Sequence, residues 1–287
     1  MSKELNIKIC SHCLLNSSLP GVYINSNGMC NYCRMDRGKA SLTEKERLKK
    51  IWHQSTYMKR PVIVAFSGGN DSAACLIYLV KSIGVECIAV MMDNGFIPDA
   101  VRQRAIDLCR QLGVKLSIES FALVDMLPNG FCDPCSYCIP VILESLALKA
   151  RNCRSIAIAT GHLYPPSFEI LRAGTTRIIK TAPLYIDDIH EKKRGGLLKN
   201  TAWDEEIFFG PSSNCTLMGY LESIYRDKWG YSPMIAELSH EVRAGMISRE
   251  TGIKKLAREK VFPLDQYRTE QYKLVEALLK KKGKLTA

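Results

Sequence analysis

Residues 62 to 80, VIVAFSGGNDSAACLIYLV, constrain the fold most, because a polar core separates two apolar runs. The run 61–67 predicts a buried β-strand, and a helix is expected from about Asp71 to Ser82. The two glycines between them permit a tight turn with unusual backbone dihedrals. Backbone N–H groups at the helix start would then point outward, a geometry that binds phosphate. The alternative is a tight turn with an aspartate cap and no ligand.

Strands and helices alternate after this stretch. Further strands are predicted at 85–93, 114–120 and 155–160, and helices at 99–113 and 139–151. This alternation predicts an α/β fold, a doubly wound parallel sheet with helices on both faces. Ligands of such sheets bind at the carboxyl ends of the strands. Residues 162–210 are expected to be irregular, as a lid or substrate loop, and the chain from about 213 onward is expected to be helical.

Twelve cysteines in a chain without an apolar leader favour metal ligands or reactive thiols over a disulfide framework. Cys10, Cys13, Cys30 and Cys33 form C-x2-C-x16-C-x2-C, the pattern of a closed, tetrahedral structural zinc site. An iron site or a redox pair is the alternative. Residues 1–38 hold too few apolar side chains to fold alone, so metal would supply the missing stability.

Net charge and hydropathy limit the kinds of partner that we expect. The formal net charge of +11 favours an anionic partner such as a nucleotide, a phosphorylated sugar or RNA. We expect no membrane span, because no segment reaches about 20 consecutive apolar residues, and we expect a cytoplasmic protein. Asp93, at the end of the second strand, would either face a nucleotide or cap the next turn.

The motif AFSGGNDS resembles the PP-loop of the ATP pyrophosphatase superfamily, whose members bind ATP and adenylate a substrate oxygen. It lacks the G-x-x-x-x-G-K-[ST] pattern of the other common phosphate loop. The resemblance, over roughly residues 60–165, implies a Rossmann-like PP-loop fold and the cofactors ATP and Mg²⁺, with Asp71 assisting the metal. It implies a nucleotide site made of Ala65, Ser67, Gly68, Gly69, Asp71, Ser72, Met91, Gly161 and His162. An ordinary loop histidine is the alternative for His162.

Two branches of the superfamily compete. The segments CSHCLLNSSLPGVYINSNGMCNYC and DKWGYSPMIAELSHEVRAGMISRE resemble N-acetyl sugar amidotransferases, which take ammonia from a partner glutaminase. CSYC, ATGH and a distant single cysteine instead resemble thiolation enzymes that use a [4Fe-4S] cluster and carry a zinc module before the PP-loop. The tRNA-thiolating enzymes usually have acidic residues where this chain reads GHLYPPSFE, so a free base, nucleotide or small metabolite competes with RNA as the acceptor.

The thiolation branch assigns roles to a second group of cysteines. Cys135, Cys138 and Cys215 would hold three irons of the cluster and leave the fourth iron open for sulfide. The first two are chosen because they directly precede the predicted helix. The alternatives are a second structural zinc completed by Cys132, and thiols that bind no metal.

These observations lead to one preferred function. We expect a zinc knuckle (1–38), a PP-loop ATP-binding domain (39–212) and a helical region (213–287), in a homodimer. The expected enzyme adenylates an oxygen with ATP, releases pyrophosphate and then displaces AMP with sulfur, with Asp71 and the three cysteines in catalytic roles. A sulfur donor would be its partner. The alternatives are the amidotransferase with its glutaminase partner, and a nucleotide- or RNA-binding module without turnover.

Overall fold

The computed structural model describes residues 7–35, 38–131, 133–203, 214–221, 232, 234–261 and 266–285. Cys132, the alternative ligand of a second zinc, lies outside these residues. The strands are β1 Val62–Ala65, β2 Cys87–Asp93, β3 Lys115–Ser120, β4 Ala157–Ala159, β5 Phe168–Ala173 and β6 Thr176–Thr181. The helices are α1 Asn31–Met35, α2 Leu42–Met58, α3 Asn70–Ile77, α4 Asp99–Leu112, α5 Leu123–Met126, α6 Cys135–Asn152, α7 Pro183–Ile186, α8 Glu191–Leu198, α9 216–221, α10 Met234–Arg243, α11 Arg249–Val261 and α12 Gln266–Lys281.

The six strands form one sheet in the order β3-β2-β1-β4-β6-β5. All neighbouring strands are parallel except the edge strand β5, which runs antiparallel to β6. The α/β architecture and its mostly parallel sheet are therefore confirmed. The strand order reverses direction at β1, so the carboxyl end of β1 lies at the position where open α/β sheets bind ligands.

The central strand is buried on both faces. Val62 and Val64 pack into the apolar cluster on one side of the sheet, whereas Ile63 packs into the cluster beneath α6. Side chains alternate across a strand, so an all-apolar sequence suits a strand that is covered twice. This explains why residues 61–67 read as a continuous apolar run.

Two boundaries differ from the sequence prediction. The prediction that 162–210 is irregular was wrong, because residues 168–181 form a β-hairpin and α7 and α8 follow it. The hairpin turns at Gly174, whose φ of 63° suits glycine. Helix α6 begins at Cys135 and not near 139, since Asp133 Oδ1 accepts a hydrogen bond from Cys135 N at 3.0 Å. Cys135 and Cys138 were expected to precede this helix directly, but both lie in its first turn.

The N-terminal cysteine region packs on the C-terminal helices. Leu14 and Leu15 share an apolar cluster with Ile235 and Leu238 of α10 and with Ile247. The Arg249 guanidinium donates to the carbonyl oxygens of Cys10 and Cys13, at 3.2 Å each. The two ends of the chain therefore stabilise each other. Among the described helices, none is long and apolar enough to cross a membrane.

Candidate functional site

The SGGNDS stretch forms a tight turn between β1 and α3. Gly68 has a φ of 81°, and Gly69 precedes the helix without a side-chain cap. Ser67 Oγ lies 3.4 Å from Gly69 N, and Ser72 Oγ donates to the Gly69 carbonyl at 2.8 Å. The first N–H groups of a helix have no partner within that helix. Without a side-chain cap, those at the start of α3 are available to an anion.

Close packing holds this turn in place. A side chain at Gly161, after β4, would lie 2.6 Å from backbone atoms of Asp71 and Ser72. A side chain at Gly68 would collide with Val101 and lie 3.2 Å from the Met91 methyl group. Met91 is fully buried under the turn. In this conformation Gly161 and Met91 thus support the turn through packing, whereas the resemblance implies that both belong to a nucleotide site.

Asp71 is tied to a buried arginine. Arg194 of α8 donates from Nε to Asp71 Oδ1 at 2.8 Å, and 7% of the arginine side chain is exposed. Asp71 keeps 40% of its side chain exposed although protein surrounds it, as expected for a group lining a cleft. This surrounding protein raises the pKa of Asp71, and the charge of Arg194 opposes the rise.

The second group of thiols meets at the end of β2. The Asn94 amide donates to Cys138 Sγ at 3.6 Å and to Cys215 Sγ at 3.8 Å. Cys135 Sγ lies 3.5 Å from Met218 Sδ. Burial raises the pKa of the Cys135 thiol to about 12, with the nearby Cys215 adding to the rise. Such a thiol stays protonated at neutral pH unless a positive charge stabilises the thiolate.

The thiol group and the turn are neighbours. The Asn214 amide donates to the Ser67 carbonyl at 2.8 Å, and Asn214 directly precedes Cys215. On the other side of Cys215, the Thr216 backbone N–H donates to the Phe96 carbonyl at 2.9 Å. These bonds place Cys215 between the turn at 67–72 and the end of β2.

The remaining predicted side chains have local partners. His162 Nδ1 lies 3.0 Å from Thr160 Oγ1, and the pKa of His162 is lowered by burial and by Lys180. Asp93 Oδ1 accepts from Gly95 N at 3.0 Å, and Oδ2 pairs with Arg102. Asp93 therefore caps the turn after β2.

Cys10, Cys13, Cys30 and Cys33 form a metal-binding geometry. Their four Sγ atoms lie within 4.8 Å of one another, with Cys10–Cys33 at 3.8 Å and Cys13–Cys30 at 3.7 Å. A tetrahedron with Zn–S bonds of about 2.3 Å has edges of about 3.8 Å. Burial opposes ionisation of Cys10, but backbone N–H donors lower the pKa of its thiol to about 6. The four thiols thus fit a zinc ion, as the sequence predicted.

Cys135, Cys138 and Cys215 are not gathered in this way. Among the described residues, only the four N-terminal cysteines have all their ligand atoms within 4.8 Å of one another. A single ion would draw its ligands that close, whereas each cysteine of a cluster binds a different iron. Among the described residues, the second group therefore does not form a preformed site for a single ion.

Sequence reasoning missed several side chains at this end of the sheet. The sequence around Asn94 and Arg194 does not indicate a functional site. Asn94 follows a strand, where asparagine usually marks a turn, and Arg194 lies in a lysine-rich helix, which usually faces solvent. Glu237 and Glu241 of α10 could have been found from the sequence, because two acidic residues four positions apart in a predicted helix lie on the same face.

Fold and site together define an α/β protein with a mostly parallel six-stranded sheet and a tetracysteine site near the N-terminus. No protein-family model matches the chain. The chain is 26% identical over 225 residues to the uncharacterized protein MJ1599 of Methanocaldococcus jannaschii, covering 75% of this chain and 81% of the relative. It is 31% identical over 83 residues to the uncharacterized protein MJ0066 of the same organism, covering 29% of this chain and 17% of that protein.

Proposed function

We propose that this protein is a PP-loop enzyme that adenylates a carbonyl or enol oxygen with ATP and then replaces that oxygen with sulfur. The observation that carries the proposal is the bond from Asn214 to Ser67, which sets Cys215 directly beside the uncapped turn. The ATP site and the sulfur donor must lie close together, because the sulfur nucleophile must attack the adenylated carbon before water hydrolyses it.

The turn would bind the nucleotide through its backbone. N–H groups at the start of α3 would hold the pyrophosphate portion, and the Ser67 and Ser72 hydroxyls would add hydrogen bonds. Magnesium, when bound, would neutralise phosphate charge, with Asp71 assisting it. The substrate oxygen would attack the α-phosphorus, pyrophosphate would leave, and the nucleophile would then displace AMP from carbon.

The second thiol group would supply the nucleophile. Cys135, Cys138 and Cys215 would hold a [4Fe-4S] cluster, which supplies an open iron for sulfide when bound. The Asn94 amide would orient two of the three sulfurs, since it faces both Cys138 and Cys215. The N-terminal zinc would be structural, because four thiolates leave no open position for chemistry.

Anaerobic purification tests the choice of nucleophile. We expect a brown protein with a broad absorption band near 400 nm, roughly where iron–sulfur charge transfer absorbs. The band and bound iron should disappear in Cys135→Ala and persist in Cys153→Ala, a half-buried cysteine outside the group. A colourless, zinc-only protein that releases pyrophosphate only with ammonia would contradict thiolation and support the amidotransferase.

A further inference from the structure

Helix α10 presents two acidic side chains beside the phosphate-binding turn. Glu237 and Glu241 lie four residues apart, on one face of the helix. Helix α8 contacts both parts: its first N–H donates to the carbonyl of Met246, just after α10, at 3.3 Å, and its Arg194 pairs with Asp71, so this end of α10 lies beside the turn. The surrounding protein raises the pKa of both carboxyls, and the Asp71 carboxylate adds to each rise. Glu237 is exposed, as a side chain lining the cleft would be, whereas Glu241 is 6% exposed.

Glu241 has an unsatisfied oxygen. Its Oε2 atom is buried and has no hydrogen-bond partner among the described residues. A buried polar atom without a partner is costly, and native proteins usually satisfy it with protein, water or an ion. The atom lies in the field of Asp71, Glu237, Lys255 and Arg194, which come from four different helices.

The charges around this point do not balance. Four carboxylates share the region, Asp71, Glu191, Glu237 and Glu241, with two cations, Arg194 and Lys255. Arg194 pairs with Asp71 at 2.8 Å, and Lys255 pairs with Glu191 at 3.4 Å. Neither remaining glutamate has a cation within 4 Å among the described residues. When all are ionised, the described residues of this region leave two negative charges without a paired cation.

We propose that Glu237 and Glu241 bind a divalent cation of the magnesium type at the mouth of the turn. Two carboxylates match the charge and the oxygen preference of such an ion, which usually takes one or two carboxylates together with substrate phosphates. The three carboxylates, including Asp71, do not close around an ion by themselves, because their oxygens are not all within 4.8 Å of one another. Phosphates of bound nucleotide would complete the site, and in this respect the inference rests on the proposed function.

Manganese, a paramagnetic stand-in for magnesium, provides the probe. The zinc-loaded, full-length protein would be titrated with Mn²⁺ and followed by electron paramagnetic resonance, with and without ATP. Glu237→Gln and Glu241→Gln should each weaken Mn²⁺ binding by about tenfold or more. Glu250→Gln, an exposed glutamate of α11 paired with Lys254 at 2.8 Å, serves as the matched control and should leave it unchanged.

ATP binding without added divalent cations separates this inference from the proposed function. Both variants should bind metal-free ATP at least as well as wild type, because they remove negative charge beside the phosphates. If ATP binds but Mn²⁺ affinity is equal in wild type and both variants, the cation site is wrong and the ATP site stands. If Mn²⁺ binding depends on the two glutamates while ATP never binds, the proposed function fails and the cation site stands. The exposed Glu237 makes a variant that is expected to fold.

Discussion

At the scale of single residues, Gly161 leaves no room for a side chain. We expect Gly161→Ala to lower the free energy of unfolding by about 1–3 kcal/mol, because the new methyl group would press on the backbone of α3. Urea unfolding measures this loss.

The matched control is Gly195→Ala in α8, where no atom lies within 4 Å of the added methyl group. Alanine there should stabilise the helix by roughly 0.5–1 kcal/mol. Equal effects of the two substitutions would show that the contact between Gly161 and α3 does not constrain the turn.

The buried carboxyl of Glu241 should make stability depend on pH. Its pKa rises from 4.5 to about 7 on folding, through burial and then the charge of Asp71. A raised pKa means that the folded state holds the proton more tightly, so stability falls as pH rises from about 4.5 to 7 and changes little above that. In buffer without divalent cations, Glu241→Gln should therefore stabilise the protein at pH 8, by up to about 3 kcal/mol.

At pH 4 the same variant should differ little from wild type, because Glu241 is then mostly protonated in both the folded and the unfolded state. Urea unfolding at the two pH values measures the difference. A variant that is destabilised equally at both values would mean that Glu241 acts through packing and not through its charge.

At the scale of elements, we expect the tetracysteine region (residues 7–35) and α10 to depend on each other. Cys30→Ser removes one zinc ligand, and loss of zinc should free Leu14 and Leu15 from Ile235 and Leu238. We expect backbone amide exchange in 234–256 to accelerate by about tenfold or more, which corresponds to about 1.4 kcal/mol of local opening free energy.

Hydrogen–deuterium exchange with mass spectrometry measures this effect, and Cys153→Ser controls for loss of a cysteine elsewhere. Faster exchange confined to residues 7–35 would contradict the mutual dependence. Because α10 carries Glu237 and Glu241, the result also shows whether zinc supports the cleft from a distance.

Some elements were predictable because their signal is local. The apolar run 61–67, the Gly-Gly turn and the apolar residues of α3 are neighbours in sequence, so the strand–turn–helix unit could be predicted. The β5–β6 hairpin was missed because its charged, half-exposed strands lack the apolar pattern of a buried strand. Helix α6 was predicted to begin too late because Cys135 and Cys138 were expected to precede it as metal ligands, whereas they form its first turn.

The site residues could be predicted only where they belong to one short sequence motif. The four zinc ligands follow from two C-x2-C pairs, whereas the contacts of Asn94 and Asn214 depend on which segments the fold brings together. No pattern in a single sequence encodes such long-range contacts. Likewise, the lack of a hydrogen-bond partner for Glu241 Oε2 among the described residues results from how the helices pack, and the sequence alone does not indicate it.

At the scale of the whole molecule, one cleft draws on distant parts of the chain. The turn at 67–72, the Asn94 amide, the start of α6, Cys215 and the acidic face of α10 all meet at the carboxyl end of the sheet. The C-terminal helices would thus belong to the proposed site, because α10 carries Glu237 and Glu241 and packs against the N-terminal cysteine region.

The central claim is that the turn at 67–72 binds the phosphates of ATP. Hydrogen–deuterium exchange with and without saturating ATP and Mg²⁺ tests it directly, because phosphate oxygens would accept hydrogen bonds from the amides of this turn. The account predicts slower exchange in residues 67–73 and no change in the β5–β6 hairpin. Saturating ATP that leaves the exchange of residues 67–73 unaltered would contradict it.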